Sequence, residues 1–262
     1  MVQPAHYVRW TVFKLLIIIL KGLGLLIAMN KKIELAAKAA IECDDLAAFS
    51  EIFQAQQDTI KKHLLVNGNT FAHWSAAENA IECLKFMHAN GFDLNAKNSD
   101  QSTLLWFSVM SGAMEATKFL LEIGCDPNER CEHGRNAAYA LASLRACQDF
   151  PAMLELLVRY DCVIDMVDDT GMPILAFATD ELNPEFIAAA LPYIANINHT
   201  DLNGRTALDY VAYAESGIEF LCAELLLANG AQRGARFQDG DSDSWNMFRE
   251  ETDIDEDVEH QH

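Results

Sequence analysis

The stretch NGNTFAHWSA, which begins at Asn67, returns in altered form as DQSTLLWFSV from Asp100, HGRNAAYALA from His133, TGMPILAFAT from Thr170 and NGRTALDYVA from Asn203. The aligned positions Thr70, Thr103, Asn136, Pro173 and Thr206 stand 33, 33, 37 and 33 residues apart. A steady period of this size marks a chain assembled from stacked supersecondary units. In each copy a turn residue (Gly68, Gly134, Gly171 and Gly204, with Gln101 departing) supplies the backbone conformation of a tight turn. Thr70, Thr103 and Thr206 are then placed to cap a first helix by accepting a backbone N–H. Each copy runs on through a second apolar helix, with leucine pairs such as Leu120-Leu121, Leu156-Leu157 and Leu225-Leu226. Closing segments end at Asn95, Asn128, Asp165 and Asn198. One such unit cannot bury its own apolar face, so its neighbours must do so.

Upstream, ELAAKAAIECDDLAAFSEIF from Glu34 to Phe53 has the same two-helix grammar in degenerate form, as a capping unit would. The third copy gains about four residues around Arg145 to Phe150, and the fifth about three near Ala214 to Ile218, in helix-to-helix turns where added length costs little closure entropy. Pro151 should restart the second helix of the third copy, and Asn183-Pro184 should open that of the fourth.

These residues resemble the ankyrin repeat, whose pattern is G-x-T-P-L-H-x-A-A, then a second helix with L-L, then G-A-D-V-N. Gly204-Arg205-Thr206-Ala207-Leu208 is the best start and Gly124-Cys125-Asp126-Pro127-Asn128 a good end. The resemblance covers Lys31 to Arg233, six repeats in all. It implies an all-α-dominated solenoid of helix-turn-helix units joined by short β-hairpin loops. The chain then divides into an apolar leader (1–29), an N-terminal capping repeat (30–66), five repeats (67–233) and an acidic disordered tail (234–262). The resemblance also implies that His73, third after its cap, bonds to the neighbouring repeat rather than acting as a ligand or catalyst. Trp106, Tyr139, Ala176 and Asp209 hold the equivalent position.

The family implication for function is rigid, non-enzymatic protein–protein binding without a cofactor, by a monomer whose preformed surface loses little entropy on docking. The surface it implies comprises hairpin tips and the exposed end of each first helix. Carried over position by position, it offers Lys97, Asp100 and Met110 in the second copy and Arg130, His133 and Arg135 in the third. The fourth offers Asp169, Met172 and Asp180, and the fifth Asn203, Arg205 and Tyr213. The arginines stand out as anchors, a residue type enriched among energetic hot spots.

Composition narrows the class of partner. The 262 residues are 51% apolar and carry 39 Asp and Glu against 19 Lys and Arg, a formal charge of -20. Such a field repels nucleic acid and anionic membrane surfaces. Seven scattered cysteines fit reduced thiols in the cytosol better than a disulfide framework. Residues 10 to 29, WTVFKLLIIILKGLGLLIAM, are long enough to cross a bilayer but are interrupted by Lys14, Lys21, Gly22 and Gly24. They read as a membrane anchor, a cleaved signal or an extension upstream of a start at Met29. As an anchor, Lys31 and Lys32 would keep the repeats on the cytosolic side. Residues Asp239 to His262 hold ten acidic side chains against Arg249. They read as a solvating tail or, through the cluster Glu250 to Asp257, as a translocation signal of a bacterial effector acting in a host cell.

The sequence offers no catalytic or metal constellation. Asp169-Thr170-Gly171 matches a protease triplet, but a carboxylate dyad needs a second copy. Cys125, Cys131 and His133 lack the two-residue knuckle of zinc sites. The aromatic column Trp74, Phe107, Phe177 and Tyr210, broken by Ala140, is expected to pack between first helices.

Overall fold

The computed structural model describes residues 26–131, 133–144, 149–211 and 217–234. First helices form one row: α1 (Leu26–Glu42), α4 (Phe71–Ala77), α6 (Leu104–Met110), α8 (Ala137–Ala142), α10 (Ile174–Asp180) and α12 (Ala207–Val211). Second helices form the other: α2 (Leu46–Ala55), α5 (Ile81–Ala89), α7 (Met114–Glu122), α9 (Phe150–Arg159), α11 (Pro184–Ala190) and α13 (Gly217–Ala228). A short helix α3 (Gln57–Lys62) follows α2. Each first helix packs on the next, α4 on α6, α6 on α8, α8 on α10 and α10 on α12. The expected ankyrin solenoid is therefore the observed architecture. The first helix begins at Leu26, so the capping unit starts inside the segment assigned to the leader. The insertions at 145–148 and 212–216, most of the leader and the tail from residue 235 lie outside the described residues. No helix among the described residues is long and apolar enough to cross a membrane.

Local chemistry starts and stops these helices as the repeat requires. Thr70 and Thr103 accept the N–H groups of His73 and Trp106, and Asn136 accepts that of Ala138. Asp149 and Asn183 cap α9 and α11, each with proline in the first turn. Thr206 departs from the expected cap. Its hydroxyl donates to the Gln232 carbonyl (2.8 Å), and Asp209 accepts the Thr206 N–H instead. Behind the caps, one continuous core runs the length of the described repeats, with Phe49, Leu84, Leu120, Tyr139, Leu157, Phe186 and Leu226 at its centre. The outer face of α13 is not polar: Ile218, Leu221 and Leu227 are exposed.

The hairpins are reduced to single antiparallel bridges, Lys97 with Thr103 and Val167 with Pro173. Their tips interlock along the stack. Ser99 N–H donates to Asn67 O (2.9 Å) and Asp169 N–H to His133 O (3.0 Å). A Cβ on Gly134 would lie 2.0 Å from Asp169 Oδ1, and one on Gly171 2.6 Å from Leu202 Cγ. Glycine thus serves two ends here, a left-handed φ near +70° and room for the next tip. Gln101 holds the same left-handed region, φ +58°, at the position where the other copies have glycine. Gln101→Gly is expected to raise unfolding stability by about 0.5–1 kcal/mol, because a β-carbon in this region costs about 1–2 kcal/mol. Urea denaturation of the two proteins measures the difference.

Candidate functional site

The tips and first-helix ends present a row of fixed side chains. Lys97, Asp100, Met110, Arg130, His133, Asp169, Asp180 and Asn203 are exposed. Arg135, Met172 and Arg205 are half-buried, and Tyr213 lies outside the described residues. Neighbouring tips are tied by charge: Lys97 pairs with Glu129, and Arg130 lies 3.7 Å from Asp169. Both pairs are substantially exposed and contribute little stability, so they are available to a partner.

Two of the three arginines read as anchors are engaged within the stack. Arg135 donates from Nε (3.0 Å) and Nη2 (2.9 Å) to Asp168 Oδ2, with its guanidinium 4.2 Å from the Phe177 ring centroid. Arg205 donates in the same way to Asp201 Oδ2, both at 2.9 Å, and lies 4.5 Å from the Tyr210 centroid. The two pairings differ in reach. Asp201 and Arg205 belong to one copy. In the third copy Cys131 stands where the fifth has Asp201, so Arg135 has no carboxylate of its own. In the fourth copy Asp168 is present but Met172 replaces the arginine. The unmatched halves meet across the repeat boundary. Met172 contributes its backbone, donating N–H to Asp168 and accepting from the Tyr139 hydroxyl.

Asn98, Asp168 and Asp201 are buried organisers that the sequence reading passed over. Asn98 Oδ1 accepts from Asp100 and Ser102 N–H, Asp168 Oδ1 from Thr170 and Met172, and Asp201 Oδ1 from Asn203 and Arg205. Each closes its hairpin by an Asx turn. The signal was present: an Asn or Asp stands four residues before Ser102, Met172 and Arg205 at the period of the repeat. Burial pushes the Asp201 carboxyl up, but the Arg205 N–H, the Tyr210 hydroxyl, the Arg205 guanidinium and the Asn203 N–H outweigh it and bring the pKa down to about 2. The folded carboxyl lies below its ordinary 3.8, so its stabilisation is complete above about pH 4 and is lost as pH falls toward 2. Asp201 is expected to contribute about 2 kcal/mol of this acid sensitivity. The fall in Tm between pH 5 and 2 should be shallower in Asp201→Asn.

In the first, third and fifth copies the residue third after the cap ties its repeat to the chain that follows. His73 Nε2 lies 3.3 Å from Ser102 O, with Nδ1 accepting the Thr70 N–H (3.1 Å). Tyr139 donates to Met172 O (2.7 Å), the carbonyl equivalent to that of Ser102. Asp209 Oδ2 accepts from Gly234 N–H, and Oδ1 from Arg233. Burial lowers the pKa of His73, which favours the neutral ring in this structural role. The closing residues form a second tie. Asn128 accepts from Val163 N–H, Asp165 from Ala195 and Asn198 from Gln232.

The residues with chemical potential are used in packing. The aromatic column is half-buried except for the buried Phe177, and Lys38 sits 4.7 Å over Trp74. Burial pushes the Cys83 and Cys162 thiols up to about 12 and those of Cys125 and Cys222 up to about 11, which suppresses thiolate chemistry. The Asp169-Thr170-Gly171 triplet is the tip of a hairpin held by Asp168, whose Oδ1 accepts from the Thr170 hydroxyl (2.6 Å). Among the described residues no cluster of three His, Cys, Asp or Glu has a metal-binding arrangement.

Residues 28–131 match the family described as ankyrin repeats in three copies. A putative ankyrin repeat protein of fowlpox virus is 28% identical over 156 residues, 49% of this chain and 26% of that protein. An ankyrin repeat domain-containing protein of Aspergillus oryzae, oryK, is 40% identical over 50 residues, 19% of this chain and 8% of that one. The chain thus spans about a quarter or less of the length of these curated relatives. Among solved structures, an ankyrin repeat domain from Acinetobacter baumannii superposes with a TM-score of 0.57 at 22% identity, over 76% of this chain and all of that one. The human ASB11 ankyrin repeat domain gives 0.62 at 19%, over 76% and 86%. A chain from the complex of a Bdellovibrio bacteriovorus predatory endopeptidase with an immunity protein gives 0.58 at 19%, over 74% and 97%. Residues 28–131 thus carry ankyrin repeats, and the same repeat register and fold run on to Arg233.

Proposed function

We propose that the chain is a non-enzymatic module that binds a protein partner through its hairpin tips and the exposed ends of its first helices. The observation that supports this reading is the contact between successive tips, Ser99 with Asn67, Lys97 with Glu129, Asp169 with His133 and Leu202 over Gly171, beside which Asp100, Arg130 and Asn203 are exposed. A surface ordered before contact loses little entropy on docking. Its polar and charged side chains change from copy to copy while the buried ties beneath them serve the stack, a division that suits selective binding. Met110 and Asp180, at the ends of α6 and α10, extend the face toward the helices. Arg135, Met172 and Arg205 act from below by holding the hairpins. The test is affinity capture from a cell extract with the full chain and with a variant carrying Lys97→Ala, Asp100→Ala, Arg130→Ala and His133→Ala. Selective loss of a partner, with an unchanged circular dichroism spectrum, is the expected result. Equal recovery of every partner overturns this face. Membrane tethering by residues 10–29, of which 10–25 lie outside the described residues, and effector translocation by residues 239–262, also outside them, are tested separately by carbonate extraction and a secretion assay.

A further inference from the structure

We infer that the cleft between α9 and α11, on the second-helix side, is a separate docking site for a basic segment of another protein that presents an apolar side chain between lysines or arginines. The cleft encloses about 730 Å³. Its cause is local. Past Glu185, the side chains of α11 that border it are the small Ala188 and Ala189, and the chain then leaves the α-helix in a 3-10 turn, Leu191–Tyr193, containing Pro192. The small side chains leave open the space between this turn and Leu154 and Pro151 of α9. The volume matches a few apolar side chains, and Tyr193 is 41% exposed beside it.

Charge selects the occupant. Asp149, Glu155 and Glu185 line the cleft, all three exposed, and among the described residues no Lys or Arg lines it. Arg159 pairs with Glu155 at 3.1 Å, but this pair is 66% and 71% exposed, so an incoming cation can compete for the carboxylate. Glu185 has no ion-pair partner among the described residues. A carboxylate-rimmed apolar slot on a chain of formal charge -20 attracts a basic ligand and disfavours an acidic one, including the chain's own residues 239–262. The inference does not depend on the hairpin face.

The test uses the full chain and three dye-labelled peptides in fluorescence anisotropy. One has a Leu-Trp-Leu centre flanked by Lys and Arg, one the same centre flanked by Asp and Glu, and the third is the chain's own 239–262 sequence. The basic peptide should bind at least about tenfold more tightly than either acidic one, and weaken with added salt. Ala189→Trp, which fills the slot, and the surface variant Glu155→Lys with Glu185→Lys should each weaken it at least about tenfold. The four-alanine hairpin-face variant should leave it unchanged, which separates this site from the face proposed above. Equal binding of basic and acidic peptides, preferential binding of the 239–262 peptide, or indifference to the Lys variant overturns the inference. So does a dimer in sedimentation that Ala189→Trp dissociates, which would make a second copy the occupant.

Discussion

Asp168→Ala is expected to destabilise the chain by about 3 kcal/mol, the low end of what breaking a buried ion pair costs. The Asp168 side chain is fully buried and accepts from two backbone N–H groups, the Thr170 hydroxyl and the Arg135 guanidinium. Alanine would leave the guanidinium against Phe177 without its counter-ion and open the fourth hairpin. The loss stays at the low end because the Arg135 side chain, 23% exposed, can recover part of its hydration. The sequence itself suggests a rescue. Placing aspartate at Cys131 rebuilds, in the third copy, the pairing that Asp201 and Arg205 make in the fifth. Cys131→Asp in the Asp168→Ala background should therefore restore about 1.5–3 kcal/mol, the worth of a charge-assisted hydrogen bond. In the native background it should restore nothing, since Arg135 is already paired. Urea unfolding of the four proteins closes this double-mutant cycle, and additive effects would show that Arg135 does not switch partners.

Tyr139→Ala is expected to cost about 4 kcal/mol, the range for removing a buried aromatic ring. Tyr139 has no exposed surface. Its ring lies 5.2 Å from that of Phe177, and its hydroxyl is within hydrogen-bond distance of the Met166 and Met172 carbonyls. Tyr139→Phe should cost only about 1–2 kcal/mol, the penalty for withdrawing a donor from buried acceptors. The larger variant should also change the form of the transition. In a solenoid each repeat is stabilised chiefly by its neighbours, so weakening the boundary between the third and fourth copies uncouples what lies on either side. Denaturation followed by tryptophan fluorescence and by circular dichroism should coincide in the native chain and separate in Tyr139→Ala. A single coincident transition in the variant would show that this boundary does not govern cooperativity.

Much of the fold was legible because its signals are local. A turn residue, a capping Thr or Asn and two apolar helices recur at one period, and each acts within a few residues of itself. Even the exception at Gln101 could be aligned, since its neighbours Thr103 and Leu104 kept the register. The candidate face was legible only in outline. Position within the repeat marked Lys97, Asp100 and Asn203 as tip residues, which the structure leaves exposed. The same rule marked Arg135 and Arg205 as free anchors, although both are drawn onto buried carboxylates and aromatic rings. Their use depends on the carboxylate brought within about 3 Å, from the adjacent hairpin for Arg135 and from its own for Arg205.

By itself, then, the amino-acid order determined the ankyrin repeat, its register and the residues that begin each helix, because these follow from short-range backbone geometry and the spacing of apolar side chains. The tertiary structure alone decided that Arg135 crosses to Asp168, that one tip occupies the space over the preceding glycine, and that Ala188 and Ala189 border an acidic cleft. Those outcomes arise between units some 33 positions apart in sequence, where contact is set by how the repeats stack.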